Sequence, residues 1–504
     1  METTILDFLD RAAALWGGRV VYADNKNTMT FAQLDGFSRS AGAYLQKRGV
    51  RPGQPVLVMG ERGINTPACY MGVLRAGCFY APVDASMPAG RLSSILEVIG
   101  AKYMIASGEF LEKVSALGFD GEIFAAEDVL SECGPEDYDP RSAAGLPETV
   151  PLYVIFTSGS TGKPKGVITS HHSLMCYIDA VQSVLGLGED DILGNQAPLD
   201  YIAAVRDIYL PLFTGAKTVI IPKEEFAMPD RLFGILNESR VTTLCWSTAG
   251  LEIAAKLGSF DYEKPSYLRR VIFSGSVISN KYLRIWQENL PGVRFINQYG
   301  PTEATASCTY YELTGMVEED THIPIGRAYP HYSITLLDKE GRIITADDPG
   351  ETGEICVGGP ALALGYYGDE DRTKASFIQN PQNHCYRELI YRTGDLGRYR
   401  EDGLLEFCGR MDRQIKHLGH RIELDEIEIA ARQVGGVNDC CALYDDKNSL
   451  LYLFYEGPAS SREIALYFRG SLPAFMVPRR IKQLDSLPRL ANGKTDMRSL
   501  RESM

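Results

Sequence analysis

The sequence predicts an α/β protein. It has a large N-terminal domain of stacked α/β subdomains plus a small β-rich region, and a smaller α+β C-terminal domain. Three observations carry this. Apolar runs of strand length alternate with helical patterns through the first half. Between about Gly341 and Gly403 the texture breaks into short runs separated by Gly, Asp and Pro. A helix, a hairpin-like pair of runs and a further helix then close the chain. Alternation of the first kind favours helices packed on largely parallel sheets, with ligands gathered at the carboxyl ends of the strands.

The elements follow in order. Ile5, Leu6, Leu9, Ala13 and Leu15 are spaced as on an amphipathic first helix. Val56–Met59 is a buried-strand run, Ile64 to Ala76 is helical and ends at Gly77, and Cys78–Ala81 is strand-like again. Arg91 to Ile99 is helical before the Tyr103–Ala106 run; Thr218–Ile221, Thr243–Trp246 and Val271–Phe273 are later strands. Gly353–Val357 and Gly403–Phe407 are short runs of the β-rich region. A break near Met411–Asp412 separates residues 1–411 from 412–504. The terminal unit holds a helix near Asp425–Gln433 and runs at Cys440–Tyr444 and Leu450–Tyr455 around a turn at Asp446-Lys-Asn448.

The chain's 504 residues are enough for several domains. The net charge of −14 argues against a general nucleic-acid binder, which needs a basic surface to displace counterions. No apolar run approaches the roughly 20 residues of a membrane span. The first residues carry acids where a signal peptide carries Lys or Arg. Eleven scattered cysteines with no CxxC pair point to neither a disulfide framework nor a zinc site, and Cys440 and Cys441 read as core thiols of a strand. A reducing, cytoplasmic setting is the simplest expectation.

The most informative stretch is Tyr153-Val-Ile-Phe-Thr-Ser-Gly-Ser-Thr-Gly-Lys-Pro-Lys-Gly-Val167. A strand runs into Thr157, Ser158, Gly159, Ser160, Thr161 and Gly162, followed by Lys163 and Lys165. Small residues let backbone N–H groups and hydroxyls surround a polyphosphate, and lysines offset its charge. It is not a Walker A loop, because Pro164 follows Lys163 where Ser or Thr is required.

This run resembles the phosphate loop of the adenylate-forming superfamily, which includes acyl-CoA ligases, luciferases and peptide-synthetase adenylation domains. Leu74-Arg-Ala-Gly-Cys-Phe-Tyr-Ala-Pro-Val-Asp84, Asn297-Gln-Tyr-Gly-Pro-Thr-Glu303, Tyr391-Arg-Thr-Gly-Asp395, Gly409-Arg-Met-Asp412 and Asn492-Gly-Lys494 follow in the family's order. Any one alone is weak; together they are specific. Gly300-Pro-Thr-Glu-Ala-Thr305 and Asp207-Ile-Tyr209 look most like stand-alone D-alanine–carrier protein ligases and their amino-acid-activating relatives.

The resemblance implies ATP and Mg²⁺ as cofactors and a role for each motif residue. Asn297, Gln298, Tyr299, Gly300, Pro301, Thr302 and Phe407 would surround the nucleotide, with Asn297 reading and Tyr299 stacking an adenine. Glu303 is a hard oxygen ligand suited to Mg²⁺, though a helix-capping carboxylate reads the same from sequence. Asp395, expected in a turn, would accept from the ribose hydroxyls, and Arg410 would reach ribose or phosphate. Lys494 would bridge the substrate carboxylate and the α-phosphate; a cation between two repelling anions lowers the barrier to their approach. Relatives usually carry Asp-Arg after that lysine, whereas here Asp496-Met497-Arg498 displaces the arginine by one.

Asp200, in Pro198-Leu-Asp-Tyr-Ile202, stands where amino-acid-activating relatives hold the substrate ammonium. An apolar pocket needs such a partner, because an unpaired buried charge costs several kcal/mol. By alignment with those relatives, Tyr201, Ala204, Ala249, Ile272, Ser274, Gln298, Ala306 and Ser307 line the side-chain pocket. The set contains no acid or base, so a small or medium neutral amino acid is expected.

The terminal domain of similar enzymes is mobile. It turns about a hinge, here Asp412, and exchanges Lys494 for the loop Gln414-Ile-Lys-His-Leu-Gly419, admitting a pantetheine thiol. No Ser-centred carrier segment follows Lys494, so the expected acceptor is a separate, acidic phosphopantetheinylated carrier protein, or coenzyme A. Eight Lys/Arg against three Asp/Glu from Arg469 onward would suit an acidic partner. An aryl- or acyl-CoA ligase and an inactive nucleotide-binding paralogue are the alternatives.

Overall fold

The computed structural model describes residues 2–504 except Ala144, Ser160, Thr161, Lys447 and 490–494. The chain forms two compact units: Met1–Ala85, Ala101–Ile155 and Val167–Met411 make the first, and Ser86–Gly100, Phe156–Gly166 and Asp412–Met504 the second. The unit that begins at Asp412 thus takes in two segments far away in sequence.

The first unit is built on two large sheets. In one, Phe79–Pro82, Pro55–Met59, Tyr103–Ala106 and Glu122–Ala125 run parallel, and the short Gly365–Tyr366 strand closes one edge antiparallel to Lys165–Ser170. In the other, Val20–Ala23, Lys217–Ile220, Ile192–Asn195, Thr243–Ser247, Arg270–Ser274 and Arg294–Tyr299 are parallel neighbours. Antiparallel strands Thr28–Thr30 and Thr309–Glu312 flank them. Apart from the edge strand Glu122–Ala125, the parallel strands are largely buried on both faces, which is why they read as continuous apolar runs.

Helices begin where sequence caps them. Thr30 accepts from the Gln33 amide at 3.2 Å while Gln33 Oε1 accepts from Thr30 N at 2.8 Å, opening Phe31–Lys47. Ser247 accepts from Gly250 N at 3.1 Å at the head of Thr248–Lys256. The helices over the second sheet share an aromatic core. Trp246 and Trp286 meet edge to face with centroids 6.2 Å apart, each indole N–H donating to a backbone carbonyl. The first helix, Ile5–Trp16, departs from expectation: Ile5, Leu6, Leu9 and Ala12 are buried, but Leu15 is 64% exposed. The buried stripe turns past it at 3.6 residues per turn.

The β-rich region is an antiparallel sheet, Ile343–Ile344, Ser333–Leu337, Thr352–Gly358, Leu389–Tyr399 and Phe377–Gln379, with Leu405–Arg410 also paired to Leu389–Tyr399. In the second unit, Gln414–His417 and His420–Glu423 form a hairpin before the helix Leu424–Arg432. Asp439–Asp445 pairs antiparallel with Leu450–Glu456, which pairs parallel with Arg480–Leu484. Cys440 and Cys441 are buried in that first strand. The helix Ser461–Ser471, started by a Ser460–Glu463 capping box, packs Ile464 and Phe468 into this unit's core.

Candidate active site

In the first unit, four adjacent parallel strands bring the motif residues together. The Ile192–Asn195 strand leads to Asp200, and Thr243–Ser247 to Ala249. Arg270–Ser274 carries Ile272 and Ser274, and Arg294–Tyr299 carries Asn297, Gln298 and Tyr299. Most of these residues fall at or beyond carboxyl ends, where a parallel sheet leaves its loops free.

Gly300 follows Tyr299 because nothing else fits: a Cβ there would lie 2.5 Å from the Ser307 Cα. That close approach lets Cys308 N donate to Tyr299 O at 2.8 Å, folding Pro301–Ser307 back over the strand end. Thr305 and Ala306 take left-handed φ of 51° and 76°. Such backbone costs of order 1–3 kcal/mol per residue and persists only where its surroundings hold it; Thr305 Oγ1 is anchored on Ala361 O at 2.7 Å.

Asp395 lies not in a turn but within the strand Leu389–Tyr399, opposite Arg410. The Thr-Gly-Asp sequence looks like a turn because Gly394 takes a φ of 71°, yet pairing continues beyond it. Asp395 is 2% exposed. Tyr299 donates to its Oδ2 at 2.5 Å, Arg410 pairs with Oδ1, and Thr393 Oγ1 accepts from its amide at 2.9 Å. Burial, and next the Asp395 charge, push the Tyr299 phenol well up, so it stays a neutral donor. The Phe407 ring sits 6.3 Å from that of Tyr299. Asn297 donates to Pro324 O at 2.9 Å and keeps partial exposure.

Glu303, in the turn Thr302–Ala304, is completely buried, and Tyr366 donates to its Oε1 at 2.7 Å. No group of three or more metal-ligating side chains occurs among the described residues. One hard carboxylate fits Mg²⁺, which is commonly held by one or two carboxylates plus substrate phosphates and water.

Asp200 is half-buried before the helix Ala204–Thr214, with Tyr70 donating to the preceding Leu199 O at 3.2 Å. Burial raises its carboxyl from 3.8 to about 7, the Asp84 charge adds to this, and Arg62 and Lys223 oppose it. Arg62 donates to Asn195 Oδ1 at 3.2 Å, Gln196 O at 2.8 Å and Ile221 O at 2.7 Å. Of the lining positions, Ala204, Ile272, Gln298 and Ser307 are fully buried, while Tyr201, Ala249, Ser274 and Ala306 retain exposure. The Gln298 amide is already engaged: Arg206 donates to its oxygen, Ser307 does so at 3.3 Å, and its nitrogen donates to Tyr329.

Sequence reasoning missed Arg62, Arg206, Tyr329 and Tyr366. Only Arg206 left a signal, standing next to Asp207 as two adjacent charged letters inside the otherwise apolar run Ala203–Leu212.

In the second unit, Thr157 is buried and its hydroxyl has no hydrogen-bond partner among the described residues. An orphaned hydroxyl at the head of the Gly/Ser loop fits a polyphosphate acceptor. Ser158 donates to Arg421 O at 2.7 Å, and Lys163 pairs with Glu97 at 3.2 Å. The Gly159 amide bonds to Glu426, whose carboxyl burial raises to about 7 against the opposing pair with Arg91. Gly162 takes a φ of 79°. Asp412 Oδ1 accepts from Gln414 N at 3.1 Å. Ser160, Thr161 and Lys494 lie outside the described residues.

Residues 9–367 match the AMP-binding enzyme family, and the chain belongs to it, within the adenylate-forming superfamily. It is 31% identical to bacitracin synthase 2 of Bacillus licheniformis, over 96% of this chain and 18% of that protein. Surfactin synthase subunit 3 of Bacillus subtilis (strain 168) is 30% identical over 94% of this chain and 36% of its own length. For tyrocidine synthase 1 of Brevibacillus parabrevis the figures are 30%, 99% and 45%. The chain thus spans less than half the length of each of these relatives. Among solved structures, holo-PA1221, an NRPS protein containing adenylation and PCP domains, matches with TM-score 0.83 at 26% identity, over 100% of this chain and 84% of that one. The Vibrio cholerae adenylation domain AlmE, solved with glycyl-adenosine-5'-phosphate, shares the fold at TM-score 0.84 and 22% identity, over 100% and 98%.

Proposed function

We propose that this chain activates an amino acid with ATP and Mg²⁺ and passes it to the phosphopantetheine thiol of a separate, acidic carrier protein. In the first step the amino-acid carboxylate oxygen attacks the α-phosphorus; an aminoacyl-AMP forms and pyrophosphate leaves. In the second the thiolate attacks the acyl carbon, forming a thioester and releasing AMP.

The observation that carries the reading is Asp200: a carboxylate with few compensating charges, held at the carboxyl ends of the strands. A substrate ammonium supplies the charge that site lacks. Asp395 and Arg410 would hold the ribose, Tyr299 and Asn297 the adenine, and Thr157 with its loop the phosphates. Glu303 would take the metal, which screens phosphate charge when bound. Lys494 would be brought in by a terminal domain turning about Asp412. One neighbour's name supports a carrier-protein acceptor: holo-PA1221 is an NRPS protein containing adenylation and PCP domains. The eight lining positions by themselves ask for a small or medium neutral side chain, and Arg206 lies outside that set.

ATP–pyrophosphate exchange with an amino-acid panel, benzoate and fatty acids tests the reading. Exchange that requires an amino acid is expected. Exchange driven by benzoate or a fatty acid instead defines an acyl-CoA ligase, and no exchange with any acid defines an inactive paralogue.

A further inference from the structure

Arg206 is 1% exposed, yet among the described residues it forms no ion pair. Its Nη1 donates to Gln298 Oε1, and its Nε has no hydrogen-bond partner. The neighbouring Asp207 is committed elsewhere: Oδ2 accepts from Asn195 at 2.7 Å, and Oδ1 is itself unpartnered. Burial raises the Asp207 carboxyl to about 7, so it is a partial counter-ion at neutral pH. Tyr177, Cys245 and Tyr329, the other groups facing Arg206, are all pushed up by burial and remain neutral. A buried guanidinium resting on a neutral amide is costly unless an anion completes it.

The place of this cation gives it a meaning. It touches Gln298, which in turn holds Ser307, and both stand at positions expected to line the side-chain pocket. Asn195 continues the chain of polar contacts from Asp207 to Arg62, beside Asp200. Two chains of polar contacts, meeting only at the adjacent residues Arg206 and Asp207, thus run toward the half-buried Asp200 on one side and end at the buried Arg206 on the other.

From this we infer that the activated amino acid carries a side-chain carboxylate, received by Arg206 with Gln298 and Ser307 while Asp200 receives its ammonium. The inference rests on the amino-acid reading above and narrows it to the acidic class.

The test is kcat/KM in pyrophosphate exchange for aspartate and glutamate against asparagine, glutamine, alanine and valine, on the full chain and its Arg206→Met and Arg206→Lys variants. An acidic amino acid is expected to be preferred by about 30-fold or more over its amide, as for a buried charge pair. Arg206→Met collapses that ratio, and Arg206→Lys restores part of it, which a merely structural arginine would not do. If the variants do not fold, the unmodified chain alone decides: preference for an aliphatic or amide substrate overturns the inference and leaves the parent reading standing. Exchange with no amino acid overturns both.

Discussion

The Tyr299 hydroxyl donates to Oδ2 of Asp395 at 2.5 Å while Arg410 occupies Oδ1, tying the end of a parallel strand to the antiparallel sheet. The carboxylate proposed to hold the ribose is thus fixed in orientation by two donors. Tyr299→Phe leaves that buried oxygen one donor short. It is expected to cost about 1–3 kcal/mol of stability and to raise the KM for ATP several-fold. Denaturant unfolding and exchange kinetics read the two effects. Asp395→Ala should raise the KM for ATP further still.

Asp200 makes amino-acid binding depend on pH. Ammonium capture needs the ionised carboxylate, and burial has moved its titration from 3.8 to about 7. The KM for the amino acid should therefore rise as pH falls below 7, by about tenfold per unit. The sign for stability is opposite to that of a salt-bridged acid. Between about pH 4 and 7 the folded state holds the proton more tightly than the unfolded one, so ionisation at higher pH opposes folding. Asp200→Asn should raise Tm more at pH 8 than at pH 5 and abolish activation. A variant that still activates amino acids contradicts the ammonium assignment.

Glu303→Gln keeps an acceptor for the Tyr366 hydroxyl and removes the charge. Stability should change little, while exchange falls and needs higher Mg²⁺ for half-maximal rate. A Mg²⁺ titration of the initial rate distinguishes this from a structural role, which would lower Tm and leave the Mg²⁺ midpoint in place.

Lys494→Ala should lower adenylate formation by orders of magnitude and spare thioester formation from supplied aminoacyl-AMP. Rapid-quench assays of each half-reaction check this; equal loss in both contradicts the role.

Much of the fold was legible because the parallel strands are largely buried on both faces and announce themselves as apolar runs. Tyr103–Ala106 and Thr243–Trp246 lie at the residues where periodicity put them. What escaped depends on tertiary contact. Leu15 looked like part of a buried stripe, but it stays largely exposed to solvent. Asp395 looked like a turn residue because a glycine conformation and a turn share the same letters. Arg62 and Arg206 could not be placed, because a charged residue's burial is decided by elements far away in sequence. The sequence places Gln298 among the pocket positions, and only the structure shows that Arg206, Ser307 and Tyr329 engage it.

The most direct measurement is mass spectrometry of the products of a single turnover with ATP, Mg²⁺ and a mixture of the common amino acids. The proposal predicts one aminoacyl-AMP bound to the protein and one equivalent of pyrophosphate. ADP and inorganic phosphate, or AMP carrying no amino acid, would contradict it.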